Sequence, residues 1–333
     1  MSTFAESITA WYRTNGRDLP WRHTRDPYAI WLSEVILQQT RISQGHDYWV
    51  RFMQAWPRVE NLAAATEDEV LKMWQGLGYY SRARHLHTAA RQIVELGGFP
   101  DTLEGLRRLK GVGDYTAAAI ASFAFGWPVA AVDGNVYRVL SRHYGIDTPI
   151  DTTRGKKEFA ALAQSLLPPA AAAEYNQAMM DFGALLCTPQ SPRCPECPLQ
   201  ETCAAFRTGR VGQLPVKSKT ARVTQRRLNY IYIRCNGFTA LHQRGEGDIW
   251  QGLWEPYCGT APATGRLTLL AQDVKHVLSH QELHADFWLL ETEERPQLPA
   301  GYQWVEENRI DSFAVPRLVE KMWQKVAEQL SRP

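Results

Sequence analysis

The chain has 333 residues, enough for two domains that each bury a core. A net charge of +2 and a pI near 8.2 exclude a strongly basic protein, so any DNA contact must come from a local basic patch. Six cysteines, without a signal or transit peptide, argue against a disulfide framework. We therefore expect a cytoplasmic protein with metal-bound or reduced thiols, and no apolar run approaches the roughly twenty residues of a membrane span.

The first element predicted is a packing helix over residues 2–15, whose apolar side chains recur at helical spacing. The loop RDLPWRHTRDPY follows it. This loop is basic enough to lie on a phosphate backbone, but it could equally be a solvated connector.

A largely apolar helix with one carboxylate comes next, in the string AIWLSEVILQQTRIS. Ile30, Val35 and Leu37 border Glu34, so this acid is a candidate for desolvation. Desolvation raises the pKa of a carboxyl group, which a general acid working near neutral pH requires. The alternative is a glutamate on the solvent side of an amphipathic helix.

A turn, Gly76-Leu77-Gly78, is followed by Tyr79 and Tyr80 and then by an arginine-bearing helix. Aromatic side chains at a turn beside arginines can insert between stacked bases. They can equally cap a protein core.

The stretch LKGVGDYTAAAIASFAF predicts a tight turn that opens into a helix. Backbone N–H groups at Gly111 and Gly113 would suit a phosphate there, although such a turn can also be only a tight loop. Asp133 follows the apolar run VAAV and begins the helical pattern of VYRVL. As a structural residue it would be an ordinary helix cap.

Four cysteines lie at the spacing Cys187-x6-Cys194-x2-Cys197-x5-Cys203. This pattern predicts a metal site, and the spacing alone leaves zinc and a 4Fe–4S cluster both open.

After residue 207 the composition changes to Gly, Pro and basic residues, which predicts a linker over 208–224. Short alternating strings then predict strands in LNYIYIRC, FTALHQR, HADFWLLE and YQWVEE, before a closing amphipathic helix in VPRLVEKMWQKVAEQL. The region 225–333 is therefore expected to be a small α+β domain.

LKGVG followed by VDGNVYRVL resembles the helix-hairpin-helix of the endonuclease III superfamily of DNA glycosylases, and DGNV is similar to its MutY-type adenine glycosylases. SEVILQQT resembles the family's catalytic-acid helix, and QGLWEPY resembles its MutT-like (nudix-like) C-terminal domain. The resemblance implies a mainly α fold: a glycosylase domain over 1–207 with a 4Fe–4S loop at 187–203, and a lesion-recognition domain over 225–333.

The resemblance also assigns site residues. Those expected at the reacting centre are Glu34, Asp133, Tyr115 and Asn135. Those expected to contact DNA are Arg22, Gln39, Tyr79, Gly111, Gly113, Ser279 and His280. The expected cluster ligands are Cys187, Cys194, Cys197 and Cys203.

The implied function is base excision repair. A monomer would bind double-stranded DNA in the bacterial nucleoid, flip out adenine paired with 8-oxoguanine or guanine, and hydrolyse its N-glycosidic bond. Related lyases carry a lysine where this chain has Tyr115, so a monofunctional enzyme is expected. Two rival interpretations are a bifunctional enzyme acting on oxidised pyrimidines and a non-catalytic iron–sulfur DNA-binding protein.

Overall fold

The computed structural model describes residues 3–218 and 223–331. Its chain divides into two compact units, one of Met1–Trp49 with Ala89–Thr220 and one of Val50–Thr88 with Ala221–Pro333. The domain limits expected from the sequence, 1–207 and 225–333, stay a prediction, and residues 219–222 of the expected linker lie outside the described residues. Within residues 3–218 and 223–331, no helix is both long and apolar enough to cross a membrane.

The chain up to residue 218 is helical. Its α-helices are α1 (Phe4–Asn15), α2 (Pro27–Leu37), α3 (Ile42–Ala55), α4 (Val59–Ala64), α5 (Glu67–Trp74), α6 (Ser81–Glu95), α7 (Leu103–Arg108), α8 (Asp114–Phe125), α9 (Gly134–Tyr144), α10 (Thr153–Leu166), α11 (Ala172–Asp181) and α12 (Ala204–Arg207). Helix α1 begins with a capping box, in which Thr3 and Glu6 each satisfy a backbone N–H of the other.

Helices α2 and α8 form the centre of the first unit. Ala117, Ala119 and Ala121 of α8 are fully buried, and such small side chains let the backbone of α2 approach closely. Most of α2 is buried as well, including Ile30, and this helix carries Glu34. The alanine-rich sequence of α8 therefore brings Glu34 up to its neighbour Tyr115.

A six-stranded sheet forms most of the second unit. Its strands are β1 (Thr224–Cys235), β2 (Phe238–Gln243), β3 (Trp254–Cys258), β4 (Arg266–Val277), β5 (Gln281–Thr292) and β6 (Tyr302–Glu306), in the order β4-β5-β1-β3-β2-β6. Strands β1 and β5 are parallel, with Thr224 opposite Gln281, and the other pairs are antiparallel. Helix α13 (Arg317–Leu330) packs Leu318 and Met322, both fully buried, into the core on this sheet.

The expected helical and α+β regions are confirmed, including the four expected strands and the closing helix. Sequence reasoning missed β3 and β4. Strand β3 is short and contains Pro256. Strand β4 lies at the edge of the sheet with exposed Leu267 and Leu269, and its register shifts twice between Leu269 and Val274. These irregularities break the alternating pattern that identifies a strand.

The described part of the expected linker is held by the first unit. The Ile150 backbone N–H donates to the Val216 carbonyl oxygen at 3.0 Å, and the Ser218 N–H donates to the Asp151 carboxylate at 2.9 Å. Leu214 is buried. Residues 208–218 are therefore fixed to the helical unit.

Candidate active site

A cavity of about 390 Å³ lies within the first unit. Its wall combines the loop before α2, helix α2, the start of α8, the N-terminus of α9 and helix α11. Its charged and polar lining residues include Arg17, Arg22, Glu34, Tyr115, Asp133, Asn135 and Gln177. The structure therefore brings together, in one cavity, the four residues expected at the reacting centre and one expected DNA contact, Arg22.

Glu34 lies on the cavity wall with its carboxyl desolvated. The pKa of Glu34 is raised from 4.5 to about 7: burial is the main cause and the nearby charge of Asp133 adds to the rise, whereas a hydrogen bond from Tyr115 and the charge of Arg22 oppose it. The Tyr115 hydroxyl donates to Glu34 Oε2 at 2.6 Å. Burial therefore favours the neutral, protonated form of Glu34 over its charged form.

Asp133 caps the N-terminus of α9. Its Oδ1 accepts from the backbone N–H groups of Asn135 and Val136, both at 2.8 Å, and its Oδ2 accepts from Asn135 Nδ2 at 2.7 Å. Burial raises the pKa of Asp133, while these hydrogen bonds act to lower it. The helix dipole also favours a negative charge here. Asp133 is thus the helix cap expected of a structural residue, and it is also an acid on the cavity wall.

Arg138 fixes Asn135 from within α9. The Arg138 guanidinium donates to Asn135 Oδ1 at 2.7 Å, to the Gly183 carbonyl at 2.8 Å and to the Cys187 carbonyl at 2.7 Å. Gly183 must be a glycine, because an added Cβ would lie 2.5 Å from the Asn135 Cβ and 3.0 Å from its Cα. It belongs to a π-helical turn, Phe182–Leu186, that follows α11.

Arg17 and Arg22 of the cavity wall form a buried ion cluster with Asp181. Asp181 is fully buried and accepts from Arg22 Nη2 at 2.7 Å and Nη1 at 2.8 Å, and from the Arg17 Nε and backbone N–H at 2.9 and 2.8 Å. Despite the cost of its own burial, the arginines hold the pKa of Asp181 below its ordinary value. Arg22 is thus fixed by Asp181 at the cavity wall.

Sequence reasoning missed Arg17, Asp181 and Arg138. Asp181 had the same signal as Glu34, a lone acid in the apolar string NQAMMDFGALL. Arg138 had no clear local signal, because two of its partners, the carbonyl groups of Gly183 and Cys187, lie in a distant segment of the chain.

The turn between α7 and α8 has the expected hairpin form. Gly111 has a φ of 77°, in the left-handed region that favours glycine. Val112 is buried beneath the turn and its N–H donates to the Leu109 carbonyl at 3.1 Å. Gly111 and Gly113 are exposed, and Gly113 caps α8 without a side-chain hydrogen bond. The turn therefore presents backbone to solvent, as phosphate binding requires.

The remaining expected DNA contacts are exposed. In the first unit, Gln39 follows α2 with a φ of 57°. In the second unit, Tyr79 is 48% exposed with a φ of 47°, a conformation that costs a non-glycine residue about 1–3 kcal/mol. Ser279 and His280 form the tip of the β4–β5 hairpin, where Ser279 Oγ lies 3.3 Å from His280 Nδ1. None of these side chains is part of the cavity wall in the first unit.

None of the four expected cluster cysteines is in a disulfide bond, and each is partly buried. Arg142 holds their loop: its guanidinium donates to Cys187 Sγ at 3.4 Å, to the Thr188 carbonyl at 2.7 Å and to the Pro189 carbonyl at 3.0 Å. Burial and the neighbouring thiols raise the pKa of Cys197 to about 11.

Among the described residues, no group of three or more His, Cys, Asp or Glu side chains is arranged to hold a metal ion. The donor set nevertheless suits an iron–sulfur cluster. Cys194 and Cys197 are each close enough to Cys187 and Cys203 to be influenced by their charges, so the four thiols lie near one another, as a cluster with four thiolate ligands requires.

Two segments of the chain match known families. Residues 32–169 match the HhH-GPD superfamily of base excision DNA repair proteins, and residues 229–325 match the NUDIX domain. Together with the helical and six-stranded units, these matches confirm the expected fold class. They place the hairpin, Glu34, Tyr115 and Asp133 inside a segment typical of base excision repair proteins.

The adenine DNA glycosylase of Mus musculus is 46% identical over 225 residues, covering 64% of this chain and 44% of that protein. The adenine DNA glycosylase of Buchnera aphidicola subsp. Acyrthosiphon pisum is 34% identical over 254 residues, covering 75% of this chain and 73% of that protein. The chain belongs to the adenine DNA glycosylase family, as the string DGNV predicted. It spans less than half the length of the mouse relative.

A solved structure of a thermostable thymine-DNA glycosylase is also similar. It is 32% identical, superposes with a TM-score of 0.58, and covers 62% of this chain and 95% of that one.

The desolvation of Glu34 predicts how stability depends on pH. The pKa of this carboxyl group is 4.5 in the unfolded chain and about 7 in the folded chain, so the group does not lower the free energy of unfolding below pH 4.5. Above pH 4.5 it lowers the free energy of unfolding progressively, until the pH passes 7. Glu34→Gln should therefore stabilise the first unit by roughly 3 kcal/mol near pH 8, with little effect near pH 4.5. Urea unfolding at the two pH values measures this difference. The exposed Glu158→Gln is the matched control, and an equal effect of Glu34→Gln at both pH values would contradict the prediction.

Proposed function

We propose that this protein is a monofunctional adenine DNA glycosylase of base excision repair. It binds double-stranded DNA, flips out adenine paired with 8-oxoguanine or guanine, and hydrolyses the N-glycosidic bond to leave an abasic site. The observation that carries this proposal is the pair of acids in one cavity, Glu34 with its pKa raised to about 7 and a strongly hydrogen-bonded Asp133. Membership of the adenine DNA glycosylase family supports the choice of base.

Glu34 is the general acid. Adenine is a poor leaving group, so cleavage needs a proton on the base as the bond to the sugar breaks. Because Tyr115 donates to Oε2, the transferable proton resides on Glu34 Oε1. The pKa of about 7 keeps that proton available near neutral pH and still permits its transfer.

Asp133 is the anion that stabilises the sugar cation. It receives three hydrogen bonds, two from backbone N–H groups and one from Asn135, whereas among the described residues the Glu34 carboxyl accepts one, from Tyr115. Two close carboxyls favour one shared negative charge, and the group that accepts more hydrogen bonds retains it. This difference assigns the charge to Asp133 and the proton to Glu34. Asn135 and its partner Arg138 orient the carboxylate.

The base reaches the cavity only after it leaves the duplex, at a cost of a few kcal/mol. The exposed turn at Gly111 and Gly113 would hold the phosphate backbone, which fixes position without reading sequence. Gln39 and Tyr79 would insert into the base stack and fill the space that the adenine leaves. Their contacts would offset part of the free-energy cost of flipping the base. Arg22, which is held by its hydrogen bonds to Asp181, would contact the extruded nucleotide.

The C-terminal domain would read the base opposite adenine. Ser279 and His280 suit this role because they form an exposed hairpin tip, free to enter a groove. The protein acts on DNA as a monomer. It does not cut the strand, because Tyr115 offers no amine that could form a Schiff base with the sugar.

Cys187, Cys194, Cys197 and Cys203 would hold the 4Fe–4S cluster. When bound, the cluster supplies a rigid cross-link for the loop 187–203. The chain's own part is to fix that loop to α9, through Arg138 and Arg142, and so to steady the helix whose N-terminus carries Asp133.

The direct test is single-turnover excision on four duplexes, with adenine opposite 8-oxoguanine, guanine or thymine, and with an oxidised pyrimidine. We expect excision of adenine opposite 8-oxoguanine and guanine only. Glu34→Gln keeps the shape but cannot donate the proton, so the rate should fall by at least ~10²–10⁴ while the duplex still binds. Glu158→Gln should retain the parent rate. Release of the oxidised pyrimidine, or a Glu34→Gln rate within about threefold of the parent, would refute the proposal.

Iron content tests the cluster. The purified protein should be yellow-brown and contain about four irons per chain. Cys197→Ser should lower the iron content and the soluble yield, because metal binding contributes to folding of the loop. Cys235→Ser, at a buried cysteine of β1, is the control and should leave iron unchanged. A colourless protein with stoichiometric zinc would contradict the assignment.

A further inference from the structure

Within the second unit, the residues before and after the turn at Tyr79 form hydrogen bonds to the C-terminal part of the chain. We propose that Glu320 and Gln251 are positioning residues, which fix the turn at Tyr79 so that its side chain can enter the DNA base stack. This inference rests on the proposed function for the wedge role of Tyr79. It gives the C-terminal residues a task separate from reading the base opposite adenine.

The turn itself is strained and needs support. Tyr79 has a φ of 47° and is 48% exposed. Strained residues of this kind persist only where the surrounding structure fixes them. Part of this support is local: Trp74 Nε1 donates to the Gly78 carbonyl at 3.0 Å, and the Arg82 guanidinium lies 5.0 Å from the Trp74 ring and 5.7 Å from the Tyr79 ring.

The residue before the turn is anchored to the start of α13. Gln75 Nε2 donates to Glu320 Oε1, and the Val315 backbone N–H donates to Gln75 Oε1 at 3.3 Å. Lys72, one turn earlier in α5, donates to the Phe313 carbonyl at 3.2 Å. The segment 313–320 is itself firmly packed, because Val315, Leu318 and Val319 belong to the core of the sheet.

The residues after the turn are anchored too. Arg84 donates to the backbone carbonyl of Gln251, and its Nη2 donates to Gln251 Oε1 at 3.0 Å. The segment that carries Gln251 is in turn fixed by a buried network, since Arg244 Nε donates to the Ile249 carbonyl at 2.8 Å and the Gly252 N–H donates to the Arg244 carbonyl at 2.8 Å. Glu255 and Asp248 pair with the Arg244 guanidinium.

Both flanks of Tyr79 are therefore attached to well-packed parts of the same unit. Loss of one anchor should let the strained turn relax, and the tyrosine would then meet the base stack less often. The effect should depend on Tyr79 itself, because Glu320 and Gln251 act only through the turn.

The experiment measures insertion directly, with 2-aminopurine placed beside 8-oxoguanine in a duplex that carries the opposing adenine. The full chain is used in a Glu34→Gln background, so that the adenine stays in place. Binding should raise the fluorescence, because Tyr79 unstacks the probe. Glu320→Ala, alone and with Gln251→Ala, should reduce that rise by about threefold or more. Glu320→Gln keeps an acceptor for Gln75 and should restore it, and the exposed Glu328→Ala on the same helix should leave it unchanged.

The Tyr79→Ala background separates positioning from a general structural role. There the rise should be small, and adding Glu320→Ala should change it no further, since coupled residues are not additive.

Four results would overturn the inference: no rise with the parent, a rise independent of Tyr79, an unchanged rise in both Glu320→Ala and the double variant, or equal losses in both backgrounds. A parent with intact Glu34 that shows the Tyr79- and Glu320-dependent rise but excises no adenine would refute the proposed function and leave the positioning role standing.

Discussion

The desolvation of one carboxyl group governs the chemistry of the cavity. Glu34 is held on α2 against an alanine-rich helix, and burial raises its pKa to about 7. The neighbouring charge of Asp133 acts in the same direction, whereas Tyr115 hydrogen-bonds Oε2 and opposes the shift. The raised pKa of Glu34 therefore follows from packing: small side chains on α8 let the two helices approach, and this approach desolvates the carboxyl group.

Helix α9 connects the cavity to the cysteine loop. Its N-terminus carries Asp133 and Asn135, while Arg138 and Arg142, further along, bind the carbonyl groups of residues 183 and 187–189. Arg17 and Arg22 of the cavity wall pair with the buried Asp181. Buried charges of this kind are costly unless they are paired, so removal of one partner leaves the other unsatisfied. The cavity is thus kept in shape by paired charges drawn from distant segments of the chain.

Local pattern predicted the parts of this site that depend on neighbours in sequence. The apolar residues around Glu34, the glycines at 111 and 113, and the helix start at Asp133 each have a short-range signature, and the structure has these features where the sequence predicts them. The arginine partners of Asp181 and the contacts of Arg138 with residues 183 and 187 could not be predicted, because helix packing brings these residues together across the chain. The edge strand β4 lacks regular alternation, and the grouping of residues 50–88 with the C-terminal sheet depends on anchors such as Gln75 with Glu320. Roles taken from the family resemblance alone, such as those of Ser279 and His280, remain predictions.

The central claim is that burial raises the pKa of Glu34 to about 7 and that the charge of the neighbouring Asp133 adds to the rise. Titration of carboxyl carbons by NMR, in protein labelled at glutamate, tests it directly, with Glu34→Gln used to assign the resonance. Glu34 should titrate with a pKa of about 7, and Asp133→Asn should lower that value because it removes a nearby negative charge. A Glu34 pKa near the ordinary 4.5, or one that Asp133→Asn leaves unchanged, would contradict the account.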